Sequence, residues 1–234
     1  MSEKVQQTSY ISTNAYAEFE NIFGGKHYIK LLGGYNYEQQ DYRATKSERN
    51  GLLMPDVEDI NFAMGETMSI TSDASRWRYA GAFFRLNYSY DNRYLFEVNG
   101  RYDGSSKFPN NSQWGFFPSA SAAWRLSEER FWKVDPKFLS NVKLRMSYGA
   151  LGNSNVNPYS YLEKFSLSTF STTGTSTDGR YLDGSAKLRY TKNPSQIPDN
   201  IGWETSKTVD VGIDLGFLHN KITLSAELLC AQNH

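Results

Sequence analysis

The stretch RYLFEVNGRYDGSSKFPNNSQWGFFPSASAAWRL, Arg93 to Leu126, reads as two strands joined by a polar loop. Side chains alternate between the two faces of a strand. Tyr94, Phe96, Val98, Gly100 and Tyr102 therefore oppose Leu95, Glu97, Asn99 and Arg101. In the second strand Ala120, Ala122, Trp124 and Leu126 oppose Ser119, Ser121, Ala123 and Arg125. One face is apolar and interrupted by small residues. The other is charged and hydrogen-bonding, as a watery interior requires.

The same period of two recurs along the chain. Eight strands are predicted: Thr8–Phe23, Tyr28–Tyr42, Trp77–Tyr90, Tyr94–Tyr102, Phe116–Leu126, Val142–Leu151, Thr205–Phe217 and Ile222–Leu229. In KTVDVGIDLGF, Val209, Val211, Ile213, Leu215 and Phe217 oppose Thr208, Asp210, Gly212, Asp214 and Gly216. One short helix is expected at SEERFWK, with Ser127 as N-cap and Glu128 and Glu129 in its first turn.

The connections are sorted by length. GGKH, Asp91-Asn92 and LHNK are tight, whereas 43–76, 103–115 and 152–204 are long and 127–141 is intermediate. An up-and-down antiparallel sheet with tight turns at one end and long loops at the other is the pattern of a transmembrane β-barrel. Eleven residues at about 3.3 Å each, tilted near 40°, rise roughly 28 Å, close to the ~25 Å apolar band of such barrels. Trp77, Trp114 and Trp203 border long loops, while Tyr88, Tyr90, Tyr94, Trp124, Trp132 and Phe217 cluster near the tight ends. Two aromatic belts one strand-length apart suit the two membrane interfaces, so Trp77, Trp114, Trp124, Trp203 and Phe217 are the candidate interface residues. Glu97, Asn99, Arg101, Asp103, Asp210 and Asp214 are the lumen-facing candidates.

Composition agrees. Of 234 residues only 39% are hydrophobic, yet 15% are aromatic, which suits shallow apolar faces better than a thick soluble core. The formal net charge is zero, so nothing points to a nucleic-acid partner. No run reaches the length of a membrane helix, and the start MSEKVQQTSY has no signal-peptide core. Cys230 is alone, and His27, His219 and His234 are not at metal-ligand spacing, so neither a metal nor another cofactor is expected.

Catalytic readings fare poorly. Asp210 and Asp214, or Glu97 and Asp103, could suggest a glycosidase pair. Same-face groups four residues apart on a strand lie roughly 13 Å from each other, beyond the separation of about 6.5 to 9.5 Å used by inverting enzymes. DGSSK and TGTSTDG lack the setting of a phosphate loop, and no Ser/His/Asp constellation is visible. Ligand contact is better placed in the connection 152–204, where Tyr159, Tyr161, Phe165, Phe170, Tyr181 and Tyr190 could stack on a sugar ring or pack the loop. A soluble β-rich carbohydrate-binding module is the competing class.

Three stretches carry a family resemblance: RYLFEVNGRYDGSSKFPNNSQWGFFPSASAAWRLSEERFW, LSNVKLRMSYGALGNSNVNPYSY and WETSKTVDVGIDLGF, in that order. Together they resemble the barrel of SusC/RagA-type TonB-dependent outer-membrane transporters, from Arg76 to Leu228, with 8–42 similar as generic barrel strands. The resemblance implies a barrel of about 22 strands around an N-terminal plug. It also implies import of glycans or peptides, a SusD-like surface lipoprotein as lid, energy supplied through TonB, and outer-membrane lipid as surroundings. Residues 1–234 are accordingly expected to be part of the barrel domain, without the plug and not transport-competent alone. The ending LCAQNH departs from barrel alternation and lacks a terminal aromatic.

Overall fold

The computed structural model describes residues 1–51, 59–65, 68–135, 137–165, 167–169, 189–191, 194, 197 and 201–233. Its strands are β1 (Ser2–Phe23), β2 (His27–Arg49), β3 (Met68–Tyr90), β4 (Tyr94–Ser105), β5 (Trp114–Arg125), β6 (Asn141–Asn153), β7 (Leu167–Thr169), β8 (Arg189–Thr191), β9 (Glu204–Phe217) and β10 (Ile222–Asn233). Eight of them form one antiparallel sheet in the order β1-β2-β3-β4-β5-β6-β9-β10, so each strand pairs with its neighbours in sequence apart from the short β7–β8 ladder. The sheet does not close on itself: β1 and β10 are its two edges.

Turn chemistry fixes the register at one end. Gly24 and Gly25 have φ of 56° and 68°, and Asp91 and Asn92 have 49° and 56°. Two consecutive left-handed residues open each three-residue loop, between Phe23 and His27 and between Tyr90 and Tyr94. Phe23 O accepts Lys26 N–H, and Tyr90 O accepts Arg93 N–H, closing both turns. The β9–β10 turn and the 126–140 connection lie at this same end. The connections 50–67, 106–113 and 154–203 leave and rejoin the sheet at the other.

Register carries one polar face across the sheet. Asp210 pairs with Ser147, Ser147 with Ser121, Ser121 with Glu97, Glu97 with Asn87, Asn87 with Lys30 and Lys30 with Glu20. The adjacent row runs Val211, Met146, Ala122, Phe96, Tyr88, Ile29 on the other face. Val211, Met146 and Phe96 are 53%, 61% and 48% exposed, so this apolar face has no core beneath it among the described residues.

Three expectations are corrected. β1, β2 and β3 outrun their predicted limits at the long-connection end, reaching Ser2, Arg49 and Met68. Beyond Tyr37 the apolar face turns polar, with Gln39 and Asp41 of β2 bonded to Arg78 and Arg76 of β3. Past Tyr42 backbone pairing continues without apolar alternation, from Arg43 opposite Ala74 to Arg49 opposite Met68, which is why the pattern missed that part. SEERFWK forms no α-helix. A 3-10 turn spans Leu126–Glu128, Ser127 lies inside it, and the preceding Arg125 makes no side-chain cap. β10 runs through LCAQN to Asn233, because Cys230 and Asn233 pair with Val209 and Ser206 whatever their polarity.

Candidate functional site

Ion pairs organise the polar face of the sheet. On β6, Arg145 lies opposite Gly212, where a Cβ would come within 2.9 Å of its guanidinium. The glycine gives that group room to lie against the sheet. Arg145 then reaches Glu227 of β10 at 2.9 Å, Asp214 at 3.5 Å and Asp210 at 3.7 Å, while Ser225 donates to Asp214 at 2.8 Å. Asp210 and Asp214 are thus two of three carboxylates around one cation.

A second network crosses β3, β4 and β5. Arg101 makes a bidentate pair with Asp103, both contacts at 3.0 Å, and Asp103 is buried. Asn99 accepts from Arg85 at 2.7 Å and donates to Glu97 and Ser119. All six residues named as polar-face candidates from the sequence, Glu97, Asn99, Arg101, Asp103, Asp210 and Asp214, lie on this one face.

Aromatic residues on the polar face were not anticipated. Trp77 pairs in register with Gln40, and the Lys107 ammonium lies 5.2 Å from its ring centroid. Trp203 packs against Tyr79, Phe108 and Phe117, with centroids 6.3, 5.2 and 5.1 Å away, and its Nε1 donates to Gln113 O. Phe108 and Phe117 are buried in this cluster. Trp77 and Trp203, expected among the membrane-interface aromatics, thus lie on the polar-face side of the sheet. Trp77 shares strand parity with Arg85 and Asn87, and that signal was in the sequence. Trp203 precedes β9 and is placed by tertiary contact alone.

The other three belt candidates lie on the apolar face. Trp114 stacks on Tyr102 at 5.0 Å near the long connections. Toward the tight turns a ladder runs His27, Tyr90, Tyr94, Trp124, at 5.0, 6.4 and 6.2 Å between successive rings. Phe217 sits opposite Ile222 at the same end. Tyr94 Oη and Trp124 Nε1 both donate to Glu129 Oε1, at 2.6 and 3.1 Å, and Arg93 lies 3.6 Å from the other oxygen. The Tyr94 bond first, then that from Trp124, holds the Glu129 carboxyl below the usual carboxylate range, with Arg93 assisting and partial burial opposing.

Of the loop candidates, Tyr159 accepts the Arg76 backbone N–H at 3.1 Å, Tyr161 is half-buried and Phe165 is 64% exposed. Phe170, Tyr181 and the side chain of Tyr190 lie outside the described residues. Among the described residues no group of three or more His, Cys, Asp or Glu could hold a metal ion.

Comparison with known proteins puts this sheet in context. Residues 3–228 match the family model described as TonB dependent receptor-like, beta-barrel. The chain is 34% identical over 219 residues to TonB-dependent receptor P3 of Formosa agariphila, covering 93% of itself and 20% of that protein. It is 33% identical over 221 residues to TonB-dependent receptor SusC of Bacteroides thetaiotaomicron, covering 94% of itself and 21% of that protein. The chain thus spans about a fifth of the curated relatives it matches. The structure of the RagAB peptide transporter superposes with a TM-score of 0.81 at 18% identity, over 99% of this chain and 24% of that one.

Proposed function

Since this chain belongs to the family of TonB-dependent receptor-like β-barrels, we propose that its sheet is a stretch of wall in an outer-membrane nutrient importer of the SusC/RagA type. The apolar face meets lipid, and the polar face meets the water-filled interior. The observation that carries this reading is the division of the faces. Along β2 the apolar face runs from His27 to Tyr37 and becomes charged at Asp41. Those eleven positions rise about 28 Å at a 40° tilt, the height of a barrel's apolar band. In this reading Trp114, Trp124 and Phe217 sit at the membrane interfaces.

The imported solute is a glycan or peptide, and it passes Glu97, Asn99, Arg101, Asp103, Asp210 and Asp214. Tyr159, Tyr161, Phe165, Tyr181 and Tyr190 contribute contacts at the outer mouth, beneath a SusD-like lipoprotein lid, with TonB acting from the other side. The remaining strands and a plug belong to the rest of the full-length protein. Eight strands with two unpaired edges enclose no pore, so residues 1–234 alone transport nothing.

Fractionation with cysteine labelling tests the reading. In the full-length protein, a membrane-impermeant maleimide added to intact cells should label Thr71→Cys on the β3 overhang. It should not label Val211→Cys on the apolar face. Labelling of both at equal rates, or recovery of the protein outside the outer membrane, would refute the importer reading.

A further inference from the structure

The connection that follows β6 does not rise straight away from the sheet. Ser154 borders a cavity of about 540 Å³ together with Trp77, Tyr79, Arg101 and Lys107, at the long-connection end of the polar face. Further on, Tyr159 has φ of 63°, a backbone conformation that a tyrosine keeps only where its surroundings hold it. Local turns close around it, with Asn157 O accepting from Ser160 and Tyr159 O from Leu162, and its side chain is tied to β3. The Tyr159 hydroxyl accepts the Arg76 backbone N–H at 3.1 Å.

That N–H is available for a specific reason. β4 pairs with β3 only as far as Ser105 opposite Tyr79, so the β3 backbone above that point has lost its ladder partner on the β4 side. Ser106 takes the next available groups, donating to Arg78 O and accepting from Arg78 N–H through its hydroxyl. Arg76 is two residues further on and points the same way. Tyr159 satisfies an edge donor that would otherwise need water.

To reach Arg76 from Asn153, the chain must cross β5 and β4, which separate β6 from β3 in the sheet. The far end of the connection is fastened over the same region by the Trp203 cluster and its bond to Gln113 O.

We propose that residues 154–162 form an inward strap, latched to β3 by Tyr159, that roofs the polar-face cavity and limits the bulk of solute reaching this wall. The proposal rests on the importer reading, and Tyr159 is its positioning residue. A single neutral hydrogen bond that water can replace suits a latch that opens.

The test uses the full-length protein in intact cells with Lys107→Cys, a position that lines the cavity with Ser154. N-ethylmaleimide should label the introduced thiol. A polyethylene-glycol maleimide of several kilodaltons should react roughly tenfold more slowly there than with Thr71→Cys on the open overhang, as a locally covered site does. Tyr159→Phe keeps the ring and removes the latch oxygen, so it should recover most of the polymer reagent's rate. Deletion of 155–161 should recover all of it, with folding checked by heat-modifiable mobility. Polymer labelling of Lys107→Cys at the overhang rate, with the strap unaltered, overturns the proposal. So does a slow rate that neither change relieves, because something else then covers the cavity. If Thr71→Cys itself resists an impermeant reagent from outside, the importer orientation falls instead.

Discussion

The indole of Trp124 lies parallel to the phenol ring of Tyr94, 6.2 Å away and with 12° between the planes. Both rings send their polar hydrogens to the same oxygen of Glu129. The two strands thereby present a flat aromatic surface whose polar tips are tied to a carboxylate just beyond the strand ends. An amphipathic ring with a satisfied polar tip is suited to the boundary between hydrocarbon and headgroups.

Protonation should loosen this tie. The Glu129 carboxyl has its affinity for protons lowered by the bonds it accepts, so its contribution is fully present above the ordinary glutamate range. It is lost as pH falls through that depressed value. The heat-modifiable transition of the full-length protein should therefore fall more steeply in acid than that of Glu129→Gln, which cannot titrate. Parallel acid profiles for the two proteins would contradict this.

The two faces should respond oppositely to charge. Val211 is exposed on the apolar face, and its sequence neighbour Asp210 is buried on the polar one. An arginine near the midplane of a lipid-facing surface costs about 2–4 kcal/mol. Val211→Arg should lower the folded fraction in outer-membrane preparations far more than Asp210→Arg, and Phe96→Arg more than Glu97→Arg. The reverse order in both pairs would mean the faces are exchanged.

Gly152 is a packing requirement and not a flexible joint. A Cβ there would fall 2.0 Å from the ring tip of the buried Phe117. Phe117 is in turn held by Trp203. Gly152→Ala should cost about 1–3 kcal/mol through overpacking. Phe117→Leu in the same chain should recover part of that loss, measured by thermal unfolding in detergent.

Arg145 should prove a positioning cation. Arg145→Met leaves Asp210, Asp214 and Glu227 without their shared partner, and stability should fall. Asp214→Asn in the same background should restore part of it. Because Arg145, Asp214 and Glu227 are partly open to water, added salt should narrow the difference between Arg145→Met and the unaltered protein. An effect that grows with salt would exclude the electrostatic account.

The isolated chain should not behave as a soluble domain. Leu228, Met146 and Val211 expose 70%, 61% and 53% of their surfaces on one face, and β1 and β10 are open edges. Aggregation or a need for detergent is expected. A sharp monomer peak in detergent-free buffer would favour the soluble-module alternative.

The sequence by itself determined the strands, their up-and-down order, the sorting of tight and long connections, and the two faces of β4 and β9. Those features are local, since a period of two and a left-handed turn residue can be read a few residues at a time. Trp77 was equally legible through its parity with Arg85. It was hidden because Phe83 and Phe84 put an aromatic ring on each face of β3, so aromatic character did not mark a side. Only the tertiary structure decided the rest. Arg145 gathers carboxylates from β9 and β10, far along the chain. Trp203 lies outside any strand, so alternation gives it no face until Phe108 and Phe117 close around it. The overhang of β1–β3 past Tyr42 is carried by backbone pairing, which leaves no mark in side-chain polarity. Tyr159 finds its partner because β4 stops short of Arg76, and where one strand ends beside another is a property of the assembled sheet.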